Sequence, residues 1–168
     1  MFQERQEMTI ELAQDIVLAI FGLVVMVTDF RWRRIPNVVT YPAMAIGLTL
    51  AALERFPGQI LGSPAGFIDH LLALAAALVL LYPLFSARAM KAGDVKLLMT
   101  VGALKGLVFL FWSFVYGAVI GGVVALVYVA VQRLARGRGF REVMQTFIPY
   151  GVSLAAGALL ALAVGVGR

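Results

Sequence analysis

Long apolar runs decide what this chain can fold into. Residues 9–28, 37–53, 66–86 and 95–131 are almost continuous hydrocarbon. Each is near or beyond the roughly 20 residues that cross a bilayer core about 30 Å thick. In lipid every backbone N–H and C=O must be paired within the fold, so only helices or a closed barrel can span. The runs are rich in Leu, Ala and Val and lack the two-residue alternation of a barrel strand. The expected fold is therefore all-α: a polytopic membrane helix bundle, one integral-membrane domain over residues 1–168. Composition agrees, with 62% hydrophobic residues against roughly 45–50% in soluble domains.

What is missing narrows the chemistry. Without cysteine there is no disulfide, no thiol nucleophile and no cysteine-held zinc. His70 is the single histidine, so a histidine-rich metal site is excluded; neither metal nor cofactor is expected. The net charge of +5 does not point to nucleic acid, because the cations sit in short loops beside apolar runs and form no basic face with interleaved aromatics. The N-terminus carries Glu4, Arg5 and Glu7 and does not read as a cleavable signal peptide.

In chain order, Thr9 opens the first run, with Glu11 and Asp15 in its early turns, where the helix dipole favours acids. Pro36 breaks any continuation, and Asn37 is placed to cap a second helix reaching Leu53. Pro57-Gly58 and Gly62-Ser63-Pro64 mark a loop before the third run. As one helix, the run 95–131 would be about 55 Å long, too long for one crossing. A break at Lys105-Gly106 gives a short fourth helix and a long fifth, and Pro149 starts a sixth made of small residues suited to close packing. The loops after helices one, three and five then hold Arg31, Arg33, Arg34, Arg88, Lys91, Lys96, Arg133, Arg136, Arg138 and Arg141. The other side keeps Arg5, Arg55, Lys105 and Arg168. That asymmetry places the first group in the cytoplasm and both termini outside. Glu11, Asp15, Asp69 and Glu142 read as interfacial, and His70 as a solvated headgroup residue.

Two polar stretches stand at the cytoplasmic mouths of these runs: residues 29–37, Asp-Phe-Arg-Trp-Arg-Arg-Ile-Pro-Asn, and residues 91–96, Lys-Ala-Gly-Asp-Val-Lys. Asp29 and Asp94 fall on the same face, where a bundle can bring them together. Two carboxyls sharing one proton cannot both ionise at neutral pH. One is then the acid and the other takes a proton from water, which attacks a peptide carbonyl. Gly93 would let substrate backbone approach, and Lys96 and Arg31 would tune the pair. Charge placement alone also allows a second reading, with Asp29 balancing Arg31, Arg33 and Arg34, and Asp94 an ordinary cap for a helix starting at Val95.

Three segments resemble the type IV prepilin peptidases, bacterial aspartic peptidases of the GxGD class. Asp29 with Arg31 and Ile35-Pro36-Asn37 is similar to the motif D-x-R…I-P-N. Gly93-Asp94-Val95-Lys96 is similar to G-x-G-D-x-K, and Ile148-Pro149-Tyr150-Gly151 to a late I-P-Y-G segment. Lys91 stands where the second motif has its first glycine. The resemblance implies an inner-membrane enzyme that removes the leader of prepilins or pseudopilins on the cytoplasmic side. It implies Asp29 and Asp94 as the catalytic pair, with Arg31, Pro36, Asn37, Gly93 and Lys96 supporting the site. Long members add a cysteine-containing methylating domain, which is not expected here; the chain resembles the short forms of tight-adherence pilus systems. The alternative is a non-catalytic membrane component of a pilus or secretion apparatus. A transporter ranks below both, since the runs carry almost no polar residue at mid-membrane.

Overall fold

The computed structural model describes residues 2–53, 66–88, 90–136 and 150–167. These form five helical elements: α1 (Phe2–Trp32), α2 (Asn37–Leu53), α3 (Phe67–Ser86), α4 (Ala92–Arg136) and α5 (Tyr150–Val164). Among the described residues there is no strand. Met8–Trp32, Phe67–Ser86 and Ala92–Gln132 are long and apolar enough to cross a membrane, and α2 and α5 are shorter apolar helices. Outward faces such as Ile16, Ile20, Leu23 and Val27 on α1 remain exposed, as lipid-facing surface requires. The turn signals at residues 57–64, Glu142 and Pro149 lie outside the described residues, as does the expected arginine loop 133–141 beyond residue 136; Arg133 and Arg136 belong to the α4 helix instead.

The starts of α1 and α2 differ from expectation. Helix α1 begins before Thr9, whose hydroxyl instead donates back to the Arg5 carbonyl at 2.7 Å within the helix. Asn37 is the first residue of α2 rather than its cap. The Pro36 carbonyl accepts the opening N–H groups of Val39 and Thr40, and the Asn37 side chain is engaged by Lys96.

The long apolar stretch is broken at Gly106, where φ is 79° and ψ is −173°. That backbone region is open essentially to glycine alone. The chain reverses there. Asp94 begins the first half of α4 beside the start of α5, whereas Phe109 lies against Gly167 beyond the far end of α5. Gly117 and Gly121 then pack on Leu154 and Ser153, back toward the starting end. The expected break is thus present, and α4 is a hairpin.

Breaking the helix severs the bond that Leu107 N–H would make to the Ala103 carbonyl four residues earlier. Two adjacent residues of α3 take up its separated ends. Asp69 Oδ2 accepts the Leu107 N–H at 2.9 Å, and His70 Nδ1 lies 2.9 Å from the Ala103 oxygen. A carbonyl only accepts, so Nδ1 carries the proton. Asp69 and His70 are 7% and 4% exposed, which corrects the interfacial and solvated placements. They are drawn inward because the reversal exposes backbone groups that lipid cannot satisfy. Asp15 is likewise buried: Lys105 Nζ, one residue before the break, sits 2.9 Å from its Oδ1.

The core gathers around the first half of α4, where Leu97, Leu98, Val101 and Leu104 are fully buried. Leu18, Phe21 and Val25 of α1 join it at three- and four-residue spacing, and Ala73, Ala77 and Leu81 of α3 at four-residue spacing. Small residues set the tightest crossings. Gly157 of α5 lies directly on Gly117 of α4, so the backbones touch where lipid-immersed helices gain from van der Waals contact.

Candidate active site

Three helix ends converge at one end of the bundle. Asp29 lies in the last turn of α1, where Arg33 N–H donates to its carbonyl at 2.9 Å and Arg33 itself (φ 53°) ends the helix in left-handed conformation. Asp94 is the third residue of α4. Its Oδ2 accepts the Lys91 backbone N–H at 3.3 Å, a reach-back that satisfies one donor ahead of the helix. With α4 starting at Ala92, Asp94 is inside the first turn and is not the cap expected before Val95. Asp29 Oδ2 accepts the backbone N–H of Val152, in the first turn of α5, at 3.1 Å.

Both aspartates are 3% exposed, and the charge of Asp29 acts on Asp94. Ile35 joins the three ends. A Cβ built on Gly93 would meet Ile35 Cβ at 3.3 Å, and one on Gly151 would meet Ile35 Cδ1 at 3.0 Å. Glycine at 93 thus lets Ile35 pack closely. Pro36 lies next in this connection and, through its carbonyl, starts α2.

The expected tuning cations are placed differently. Lys96 Nζ donates to Asn37 Oδ1 at 2.9 Å and lies 5.0 Å from the centre of the Tyr41 ring, tying α4 to α2. Arg31 sits over the Trp32 ring at 5.9 Å. The cation whose charge acts on Asp94 is Lys91, the residue in the place of the motif glycine. Its side chain is exposed.

Chemically, two carboxyls brought close enough to share one proton would leave one oxygen basic toward water. Among the described residues no group of three or more acidic or histidine side chains is placed to hold a metal. A groove of about 420 Å³ between α3 and α4, lined by residues such as Leu80, Leu98, Leu107 and Phe111, is wholly apolar and contains neither aspartate. The contribution of α5 was missed from sequence. Gly151 reads there as a small packing residue and as the end of the I-P-Y-G segment, and no local pattern ties it to a residue more than a hundred positions earlier.

Residues 16–126, which include both aspartates, match the type IV leader peptidase family. The prepilin leader peptidase/N-methyltransferase of Bacillus subtilis (strain 168) is 27% identical over 160 residues, covering 94% of this chain and 58% of that protein. The chain thus spans little more than half the length of that relative. No solved structure matches it. With the family match covering most of the chain and both buried carboxyls, this protein belongs to the type IV leader peptidase family.

Proposed function

We propose that the chain is a membrane-embedded aspartic endopeptidase that removes the leader of prepilin-like precursors with water activated by Asp29 and Asp94. What supports this reading is that two carboxyls buried at helix ends, with the charge of Asp29 acting on Asp94, both lie within the family-matched segment. The name of the Bacillus subtilis relative, a prepilin leader peptidase, supplies the substrate class. In this scheme one carboxyl is protonated and polarises the scissile carbonyl while the other draws a proton from water. The pair resets when the leaving amine is protonated. No covalent intermediate is needed.

The reading extends to the membrane. Counting α1, α2, α3, the two halves of α4 and α5 gives six crossings. Arg31, Arg33, Arg34, Arg88 and Lys91 cluster in sequence around the two aspartate-bearing ends and would lie in the cytoplasm of a bacterial inner-membrane protein, with both termini outside.

The test is cleavage of a prepilin by the purified protein in detergent or lipid, beside Asp29→Asn and Asp94→Asn. Asn keeps shape but cannot share a proton. Each variant should lose rate on the order of 10²–10⁴-fold while staying folded. Full activity in either variant would refute the carboxyl pair. A folded wild type that leaves a panel of prepilins intact would favour a non-catalytic pilus or secretion component.

A further inference from the structure

The first turn of α5 is the third wall around the aspartates, and it lies beyond the residues 16–126 that match the family. Two observations there concern one oxygen atom. The Val152 N–H donates to Asp29 Oδ2 at 3.1 Å across 123 positions of sequence. One residue earlier, a Cβ on Gly151 would stand 2.7 Å from the same Oδ2 and 2.9 Å from the carboxyl carbon. Side-chain carbons do not pack that closely, so the carboxyl occupies its position only because residue 151 has no side chain.

The first N–H groups of a helix have no partner within it, and the dipole at that end favours an anion. A cap usually comes from the residue just before the helix. Here the acceptor is supplied by α1. The contact fixes the rotation of the Asp29 carboxyl: with Oδ2 held by α5, the other oxygen has one orientation. A reacting group held this way needs no reorganisation in the transition state, whereas displacing one by about 1 Å costs rate on the order of a hundredfold.

We propose that Gly151 and the Val152 amide are a positioning element for Asp29, engaging Oδ2 so that Oδ1 is the oxygen presented to water. This rests on the reading of Asp29 as catalytic, and Gly151 and Val152 act through Asp29 without touching substrate.

The contact is tested first without reference to activity. With selective ¹⁵N-valine labelling, the Val152 amide signal of the wild-type protein is followed against pH and compared with Asp29→Asn. The expected result is a titration step at Val152 that disappears in Asp29→Asn. No step in wild type, or the same step in the variant, overturns the proposal. Prepilin cleavage is then measured for Gly151→Ala and Val152→Pro. Proline fits a first helical turn and deletes the N–H without adding an atom at residue 151. Both variants should lose kcat by roughly tenfold or more with KM nearly unchanged, the signature of a misplaced reacting group. A folded Gly151→Ala or Val152→Pro enzyme with wild-type kcat overturns the proposal, as does loss confined to KM. If Gly151→Ala does not fold, Val152→Pro and the amide titration still decide. Wild-type protein that cleaves no prepilin refutes the proposed function, while the amide titration separately decides whether the Val152–Asp29 contact exists.

Discussion

Replacing Gly106 with alanine attacks the hairpin on which the convergence of helix ends depends. Two costs add. A non-glycine residue at φ 79° and ψ −173° is strained by about 1–3 kcal/mol. The new Cβ would also fall on Asp69 Oδ2, forcing the carboxyl off the Leu107 N–H. An orphaned buried donor costs about another 1–3 kcal/mol. The sum is about 2–6 kcal/mol, a large part of the roughly 5–15 kcal/mol that holds a typical domain folded. Unfolding in mixed micelles, with the detergent fraction as denaturant, reads this as a shift in midpoint. Gly122→Ala is the control, because a Cβ there meets nothing within 4 Å. In a helix, alanine at that position should be neutral or stabilise by up to about 1 kcal/mol. If Gly106→Ala unfolds within about 1 kcal/mol of wild type, the hairpin and its Asp69–His70 clasp are not as described.

Other consequences follow from the same contacts. Lys105→Met leaves the Asp15 carboxylate, 11% exposed, without the ammonium 2.9 Å away. Breaking a buried pair from one side should cost about 3–5 kcal/mol in the same micelle assay, and Lys105→Met combined with Asp15→Leu should recover most of it. A double variant no better than the single one would refute the pairing. Lys91→Gly restores the glycine of the second motif and leaves the backbone N–H on Asp94 in place. Prepilin cleavage by this variant should therefore stay close to wild type, and a collapse in kcat would show that the Lys91 side chain itself matters to Asp94.

The helical content and the hairpin were legible because both follow from local physics. Apolar runs without two-residue alternation can only be helices in lipid, and a 95–131 run too long for one crossing must break, with Lys105-Gly106 joining a cation to a glycine inside it. The two aspartates were legible as carboxylates at apolar run ends. The sequence misplaces Asp15, Asp69 and His70 for a physical reason: each stands near the start of an apolar run, where an acid or histidine is ordinarily solvated, although α1 in fact begins well before Asp15. Nothing local reveals that the reversal at Gly106 would leave a donor and an acceptor for α3 to satisfy. The sequence gives no hint of Ile35 beside Gly93. Lys96 was assigned to the aspartates, since spacing alone cannot show that Asn37 and Tyr41 hold it.

By itself, then, the sequence determined the solvent, the secondary structure and which acidic residues stand at run ends, since these depend on composition and on spacing within one helix. The tertiary structure decided which of those groups meet. The Val152–Asp29 and Lys105–Asp15 contacts join residues 123 and 90 positions apart, and such pairings are fixed by helix packing rather than by neighbours in the chain. Where buried donors and acceptors must all find partners, the packing of the whole bundle chooses them.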